Sequence, residues 1–311
     1  MLRTAVVGVG YLGKFHAEKL AAMRDCELVA VADTDAERRE RVASACNTRG
    51  VADYRDLLGQ VDAVCVAVPT PLHHRVAKDF LERGTHVLVE KPVTATVAEA
   101  RELVSLAEAH GLVLQVGHLE RFNPSIAALR ERVASPRFIE AYRVAPFKER
   151  GLEVDVILDL MIHDIDIAQT LVGAPIERIA ANGTAVFSDK PDIANARIQF
   201  ATGCVANLTA SRVSLKTERS LRLFQHDAYM SADLHAKKLK VYRTRAPASG
   251  ERWPEVDVEE IAGGESDALR AEVEAFVESI RHGRPPAVSG HEGLRALATA
   301  IEIAEMVQAS R

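Results

Sequence analysis

Thr4-Ala5-Val6-Val7-Gly8-Val9-Gly10-Tyr11-Leu12-Gly13 decides how the rest of the chain is read. A short apolar run suited to a buried strand passes directly into glycines spaced G-x-G-x-x-G. The spacing alone is weak evidence. Here it follows a strand, opens the helical pattern His16–Met23, and is followed 20 residues beyond Gly13 by Asp33, at the end of the next strand-like run, Leu28–Ala32. That context is what the pattern requires. Glycines let the backbone approach a pyrophosphate at the positive end of the following helix. Asp33 would accept hydrogen bonds from the adenosine ribose hydroxyls and repel a 2′-phosphate, so NAD is expected over NADP. Gly8, Gly10, Tyr11, Leu12, Gly13 and Asp33 are therefore cofactor-binding candidates. Glycines that serve only tight packing are the competing reading.

Outward from this stretch, apolar runs at Ala63–Val68, His86–Val89 and Leu112–Val116 alternate with the helical patterns Leu72–Glu82 and Val97–Ala109. Strand–helix alternation of this kind predicts a parallel sheet with helices on both faces, an α/β Rossmann domain over residues 1–118. The rhythm changes after Gly117. A short helix is predicted after Asn123–Pro124, and a long apolar helix over Asp155–Val172. From Ile176 to Ile261 strand-like alternation runs without intervening helices, which predicts a large, mainly antiparallel open sheet. Helical periodicity returns at Asp267–Arg281 and Gly293–Ser310. Residues 119–311 are thus expected to form an α+β domain for substrate binding and oligomerisation, its C-terminal helices packing back towards the Rossmann domain.

The chain has 311 residues, 48% hydrophobic and 27% charged, with net charge −5. That balance does not favour nucleic acid or an anionic membrane. Cys26, Cys46, Cys65 and Cys204 form no C-x-x-C pair, so neither a metal cluster nor a disulfide framework is suggested. There is no leader-like start and no apolar stretch of roughly 20 residues, so a cytoplasmic location is expected.

Two places carry candidate chemistry. Lys91 follows a buried parallel strand at its carboxyl end, where ligands of such sheets bind; a solvated surface lysine is the plain alternative. On the Asp155–Val172 helix, apolar residues leave little room for a solvated face, yet Asp155, Asp159, His163 and Asp166 recur within a narrow arc at about 100° per residue. Buried ionisable groups are costly unless paired or used. The stripe is open to three readings: a satisfied His–Asp pair, a metal site, or a proton-transfer site. No cysteine or second histidine nearby strengthens the metal reading. His163 suits a general base, with an unperturbed pKa near about 6.5. Lys91 would stabilise a developing alkoxide, and Asp159, one turn before His163, would hold a hydroxyl or tune the pair. Asp164 points elsewhere and is expected to cap or pair locally.

The segment Val89-Glu90-Lys91-Pro92, with the glycine signature, resembles the glucose–fructose oxidoreductase/inositol dehydrogenase (Gfo/Idh/MocA) family over nearly the whole chain. Pro69-Thr70-Pro71-Leu72-His73-His74 is similar to that family's nicotinamide-side loop, Asp159–Asp166 to its D-x-G-x-H-x-x-D helix, and Gly283–Gly290 to its C-terminal helix linker. The resemblance implies a dehydrogenase. Pro69, Thr70, His74, Glu90 and Lys91 join the cofactor site, and Lys91, Asp159 and His163 serve catalysis and substrate binding. Met161 replaces the motif's inner glycine, and Val154, Asp155 and Val156 stand where glycines usually precede it. The segment Gly117–Pro124 resembles the branch that oxidises UDP-linked amino sugars, which implies UDP-N-acetylglucosamine oxidised at the C3 hydroxyl. Arg121, Asn123, Lys148, Arg150 and Arg212 are the further candidates for holding a sugar or anionic substrate. A cyclitol dehydrogenase, needing no basic cluster, and a non-catalytic NAD-binding sensor are the alternatives. A homodimer or homotetramer built on the open sheet is expected.

Overall fold

The computed structural model describes residues 1–147, 154–245, 254–264 and 266–309. They divide into two compact units, one of Met1–Leu119 with Asp267–Leu297, the other of Glu120–Ser266 with Ala298–Arg311.

In the first unit, strands β1 (Leu2–Val7), β2 (Cys26–Ala32), β3 (Arg49–Val51), β4 (Ala63–Val66), β5 (His86–Glu90) and β6 (Leu114–Gly117) alternate with helices α1 (Gly13–Ala22), α2 (Ala36–Ala45), α3 (His73–Leu81) and α4 (Val97–Ala109). The sheet is parallel throughout, in the order β3-β2-β1-β4-β5-β6. Its central strands are continuous apolar runs because helices cover both faces; all four residues of β4 are buried. α4 begins at a capping box, with Thr96 and Glu99 each satisfying the other's backbone N–H. The later helix Ala268–His282 (α7) supplies Val273, Phe276 and Val277 to the core that holds Ala17 and Leu20 of α1 and Cys65 of β4. Strand β3 has no counterpart in the periodicity: three residues at a sheet edge are too short to show one.

The second unit contains α5 (Pro124–Arg130), β7 (Phe138–Val144), α6 (Ile162–Val172) and strands β8 (Ile176–Thr184), β9 (Ile193–Phe200), β10 (Val205–Ser211), β11 (Glu218–Gln225), β12 (Ala228–Asp233), β13 (Lys238–Arg245) and β14 (Glu255–Ala262). They form one eight-stranded sheet, β14-β13-β12-β11-β7-β10-β9-β8. It is antiparallel except where β7 lies parallel to β10. β7 falls outside the predicted Ile176–Ile261 region, yet it sits near the sheet's centre. It has the right alternation, but one of its inward positions is an arginine, Arg143, which disguises it. The last helix, α8 (Gly290–Ala309), contributes to both units.

α5 and α6 lie on the second sheet, α5 against β12 and β13, α6 against β7 and β10. The alternate residues form a different row, Phe138, Phe224, Tyr229, Tyr242 and Val258, in register across five neighbouring strands. Ring centroids along it are 6.0, 4.8 and 5.2 Å apart. No described helix is long and apolar enough to cross a membrane.

Candidate active site

The glycine loop joins β1 to α1 in the first unit. Gly8 has φ +86°, and a Cβ there would lie 2.7 Å from the backbone nitrogen of Val68. At Gly13 a Cβ would fall 1.8 Å from the carbonyl oxygen of Gly8. Both glycines are required by the backbone itself. Gly10 differs: a Cβ would meet nothing nearer than the tip of Arg38 at 3.8 Å. α1 starts without a side-chain cap and without an acidic residue in its first turn. Its positive dipole end therefore suits an anion. Tyr11, 65% exposed, stands at the loop tip with its ring edge-on to Phe15, and Leu12 is half-buried.

Asp33 ends β2 with its carboxylate already oriented. Oδ2 accepts from the Val9 amide and Oδ1 from the Asp35 amide, both at 2.9 Å. Each oxygen retains acceptor capacity for a ribose hydroxyl. The Arg38 guanidinium lies 3.5 Å away. An uncapped helix end, an open Gly10 and an oriented acid fit the pyrophosphate and adenosine ribose of a dinucleotide.

Two further loops leave the carboxyl ends of β4 and β5. Pro69 is exposed and Thr70 half-buried in a short 3-10 turn that leads into α3. Glu90 and Lys91 are half-buried, and the Lys91–Pro92 peptide is cis. His73 joins the two loops. It is 1% exposed, with Nδ1 2.8 Å from the Pro92 carbonyl and Nε2 2.8 Å from the Val68 carbonyl. Burial pulls this imidazole below its usual pKa, while the two carbonyls, which can only accept, oppose that shift. The sequence reading missed His73; its neighbour His74 instead meets Glu102 of α4 at 2.8 Å. The doublet gave no clue to which histidine turns inward. Glu90 accepts from His16 of α1 at 2.7 Å and from the Lys91 amide at 3.3 Å.

In the second unit the predicted Asp155–Val172 helix is not uniform. Ile157–Met161 forms one π-helical turn that runs into α6. Such turns widen a helix locally and are frequent at functional sites. Asp155 is the N-terminal cap, its Oδ1 accepting from the amides of Ile157 and Leu158 at 2.9 Å each. Asp166 is buried and accepts a bidentate pair from Arg121 at 2.6 and 2.8 Å. Asp164 pairs likewise with Arg143 at 3.0 and 2.8 Å, and Arg143 also reaches Glu120 at 2.7 Å. Burial pushes Asp164 above its usual range; it opposes the charged forms of Arg143 and Glu120 too, but there the paired charges prevail, holding Arg143 above its usual value and Glu120 below its own. Of the stripe, Asp159 and His163 alone are half-exposed.

The remaining candidates are engaged within the second unit. Asn123 caps α5 and donates to the Leu234 carbonyl at 2.8 Å. Arg212 bonds Asp192 at 2.8 Å, the Val154 carbonyl at 2.9 Å and Ser188 at 3.1 Å. Arg143 and Asp192 were not singled out from sequence, because no motif contains them, and Glu120 was read only as part of the segment Gly117–Pro124. Lys148 and Arg150 lie outside the described residues.

Residues 2–118 match the oxidoreductase family, NAD-binding Rossmann fold, and residues 148–311 match its C-terminal alpha/beta domain. UDP-N-acetylglucosamine 3-dehydrogenase of Acidithiobacillus ferrooxidans is 41% identical over 309 residues, 99% of this chain and 98% of that protein. A solved structure of the Acidithiobacillus ferrooxidans enzyme superposes with a TM-score of 0.92 at 40% identity, covering 99% of this chain and 98% of the other. Inositol 2-dehydrogenase of Rhizobium meliloti is 26% identical across 96% of this chain and 94% of its own. The Lactobacillus casei scyllo-inositol dehydrogenase with bound NAD(H) and scyllo-inositol shares the fold at 19% identity, with a TM-score of 0.81 and coverage of 100% and 98%.

Proposed function

The chain belongs to the Gfo/Idh/MocA family of NAD-binding oxidoreductases, and from that premise we propose that it oxidises the C3 hydroxyl of UDP-N-acetylglucosamine, or of a close relative, to a ketone. The observation that carries the chemistry is the polar stripe of α6. Its other acids cap the helix or close buried ion pairs and are buried, whereas Asp159 and His163 stay half-exposed, where a substrate can reach them. The substrate class rests on the full-length similarity to an enzyme named for it.

NAD, when bound, would supply the acceptor for the hydride of the carbinol carbon. His163 accepts the hydroxyl proton as the carbon–oxygen double bond forms. The Lys91 ammonium stabilises the developing alkoxide. Asp159 holds a neighbouring hydroxyl. In the first unit Asp33 binds the adenosine ribose, Gly8–Gly13 seat the pyrophosphate, and Pro69, Thr70 and Glu90 line the nicotinamide side. Lys148 and Arg150 are assigned to the substrate pyrophosphate, where charge-assisted hydrogen bonds discriminate a sugar nucleotide from a free sugar. Arg121, Asn123 and Arg212 support the second unit instead.

The test is NADH formation at 340 nm with a panel of UDP-sugars, inositols and glucose. Coupling to glutamate and a PLP-dependent aminotransferase traps the ketone as a 3-amino sugar, read by mass spectrometry. Turnover of myo-inositol or glucose without any UDP-sugar would overturn the substrate assignment. The row Phe138–Phe224–Tyr229–Tyr242–Val258 supports a homo-oligomer built on the eight-stranded sheet. Light scattering should give at least a dimer at micromolar concentration, and a monomer would remove that assignment.

A further inference from the structure

Behind the Lys91 turn, inside the first unit, His16 of α1, Glu90 of β5 and Glu272 of α7 bring one polar atom each to within 4.8 Å of one another. His16 is 1% and Glu272 0% exposed. Glu90 is satisfied: Oε1 faces His16 at 2.7 Å and Oε2 accepts from the Lys91 amide at 3.3 Å. Gly117 leaves it room, since a Cβ there would come within 3.0 Å of Glu90 Oε2. Glu272 is not satisfied. Neither of its carboxyl oxygens has a hydrogen-bond partner, and the side-chain oxygen of Gln115, whose amide donates to the Glu272 backbone, also has none.

The cluster therefore has more acceptors than donors. Two carboxylates this close and this deep cannot both ionise. His16 and the Lys91 amide stabilise the charge on Glu90, so the proton belongs on Glu272. Burial first, then the Glu90 charge, raises Glu272 well above the usual carboxyl range; Glu90 is also raised by burial but is held below its own by the His16 bond and charge, with Lys91 and His73 adding. Cys65 of β4 also faces the cluster, and its thiol is raised chiefly by burial, with the Glu90 charge adding. A metal ion would compete with the His16–Glu90 hydrogen bond already in place.

We propose that Glu272 is a positioning residue: a neutral acid packed behind Glu90 that leaves Glu90 the single charge of the cluster and so fixes the carboxylate that holds the Lys91 turn. This rests on the assignment of Lys91 to catalysis only for its effect on rate.

The test uses the full chain and the variants E272Q and E272A. An acid that holds its proton longer in the fold loses stability as pH rises above its unfolded value, about 4.3, because the unfolded chain sheds the proton first. E272Q has no such proton. Its Tm should gain on the wild type by roughly 3 °C for each pH unit above about 4.3 until Glu272 itself ionises in the fold. A Tm difference independent of pH, or one that falls as pH rises, overturns the neutral acid. So does a stoichiometric metal found by elemental analysis and removed by EDTA. With NAD and UDP-N-acetylglucosamine, E272A should lower kcat about tenfold and E272Q should restore it, with little change in KM for NAD. Full kcat in E272A beside an inactive K91A overturns the positioning role. If wild type fails to turn over UDP-N-acetylglucosamine, or K91A stays active, the functional assignment has failed, and the melting series still decides the state of Glu272.

Discussion

Gly8, Gly10 and Gly13 share one loop, and Asp155, Asp159, His163 and Asp166 share one stripe of helix; both sets divide in the same way. In the loop, Gly8 and Gly13 are fixed by the backbone around them, while Gly10 faces open space. In the stripe, Asp155 caps and Asp166 closes a buried ion pair, while Asp159 and His163 stay half-exposed. A motif or a period thus identifies a set of residues. Only the surroundings of each one, buried or open, separate those that build the fold from those a ligand can reach.

The widest break in that comparison comes from Arg121, placed by sequence among the substrate residues and by structure against Asp166. Arg121→Ala or Asp166→Ala breaks a buried bidentate ion pair and should cost about 3–5 kcal/mol of stability, a drop in Tm of roughly 10 °C by calorimetry. Arg121→Met combined with Asp166→Leu should recover most of it, since an apolar pair of similar volume fills the same space. A substrate ligand would behave otherwise: its loss would raise KM and leave Tm alone.

Lys91 and His163 test the other half of the division. Lys91→Ala and His163→Ala should each lower kcat by at least about 10²-fold, the usual size of a general acid–base contribution. NAD affinity should change little, because the cofactor's phosphates are assigned to Gly8–Gly13. Near wild-type turnover in either variant would remove that residue from the mechanism.

These expectations show what sequence conveyed and where it stopped. The parallel sheet was legible because buried strands must be continuous apolar runs and the glycine loop is a local pattern. β7 was hidden by Arg143 at an inward position, whose charge is tolerated only because Asp164 and Glu120 meet it. His73 was hidden because its role depends on two carbonyls in loops 5 and 19 residues away. The stripe of α6 was half legible. Periodicity put four polar residues on one arc, but it carries no information about the arginines that β7 and the segment before α5 bring to the neighbouring acids.

Asp33 gives a smaller and cleaner effect. Its carboxylate is held by the Val9 and Asp35 amides, so Asp33→Ala should weaken NAD binding by about 1.5 kcal/mol, roughly tenfold. Discrimination against NADP should fall as the negative charge is removed. Equal affinity for the two cofactors in the wild type, by titration calorimetry, would contradict the role given to this acid.

Gly10 carries the smallest expected change in the fold, and it sharpens the comparison most. Gly13→Ala would drive a Cβ to 1.8 Å from a backbone oxygen, which no side-chain movement can relieve. Gly10→Ala meets only a flexible guanidinium tip at 3.8 Å, and its backbone is not in the left-handed region. The unliganded protein should therefore keep its Tm within the equivalent of about 0.5 kcal/mol, or gain slightly from a less flexible unfolded chain. Cofactor affinity should still fall, because the added methyl occupies the space through which a pyrophosphate approaches the backbone. The informative measurement is the pair of melting curves with and without NAD: a stabilising shift in the wild type, and a reduced shift in the variant from an unchanged starting point. An unliganded Gly10→Ala protein that melts well below the wild type would mean that this glycine, too, belongs to the fold.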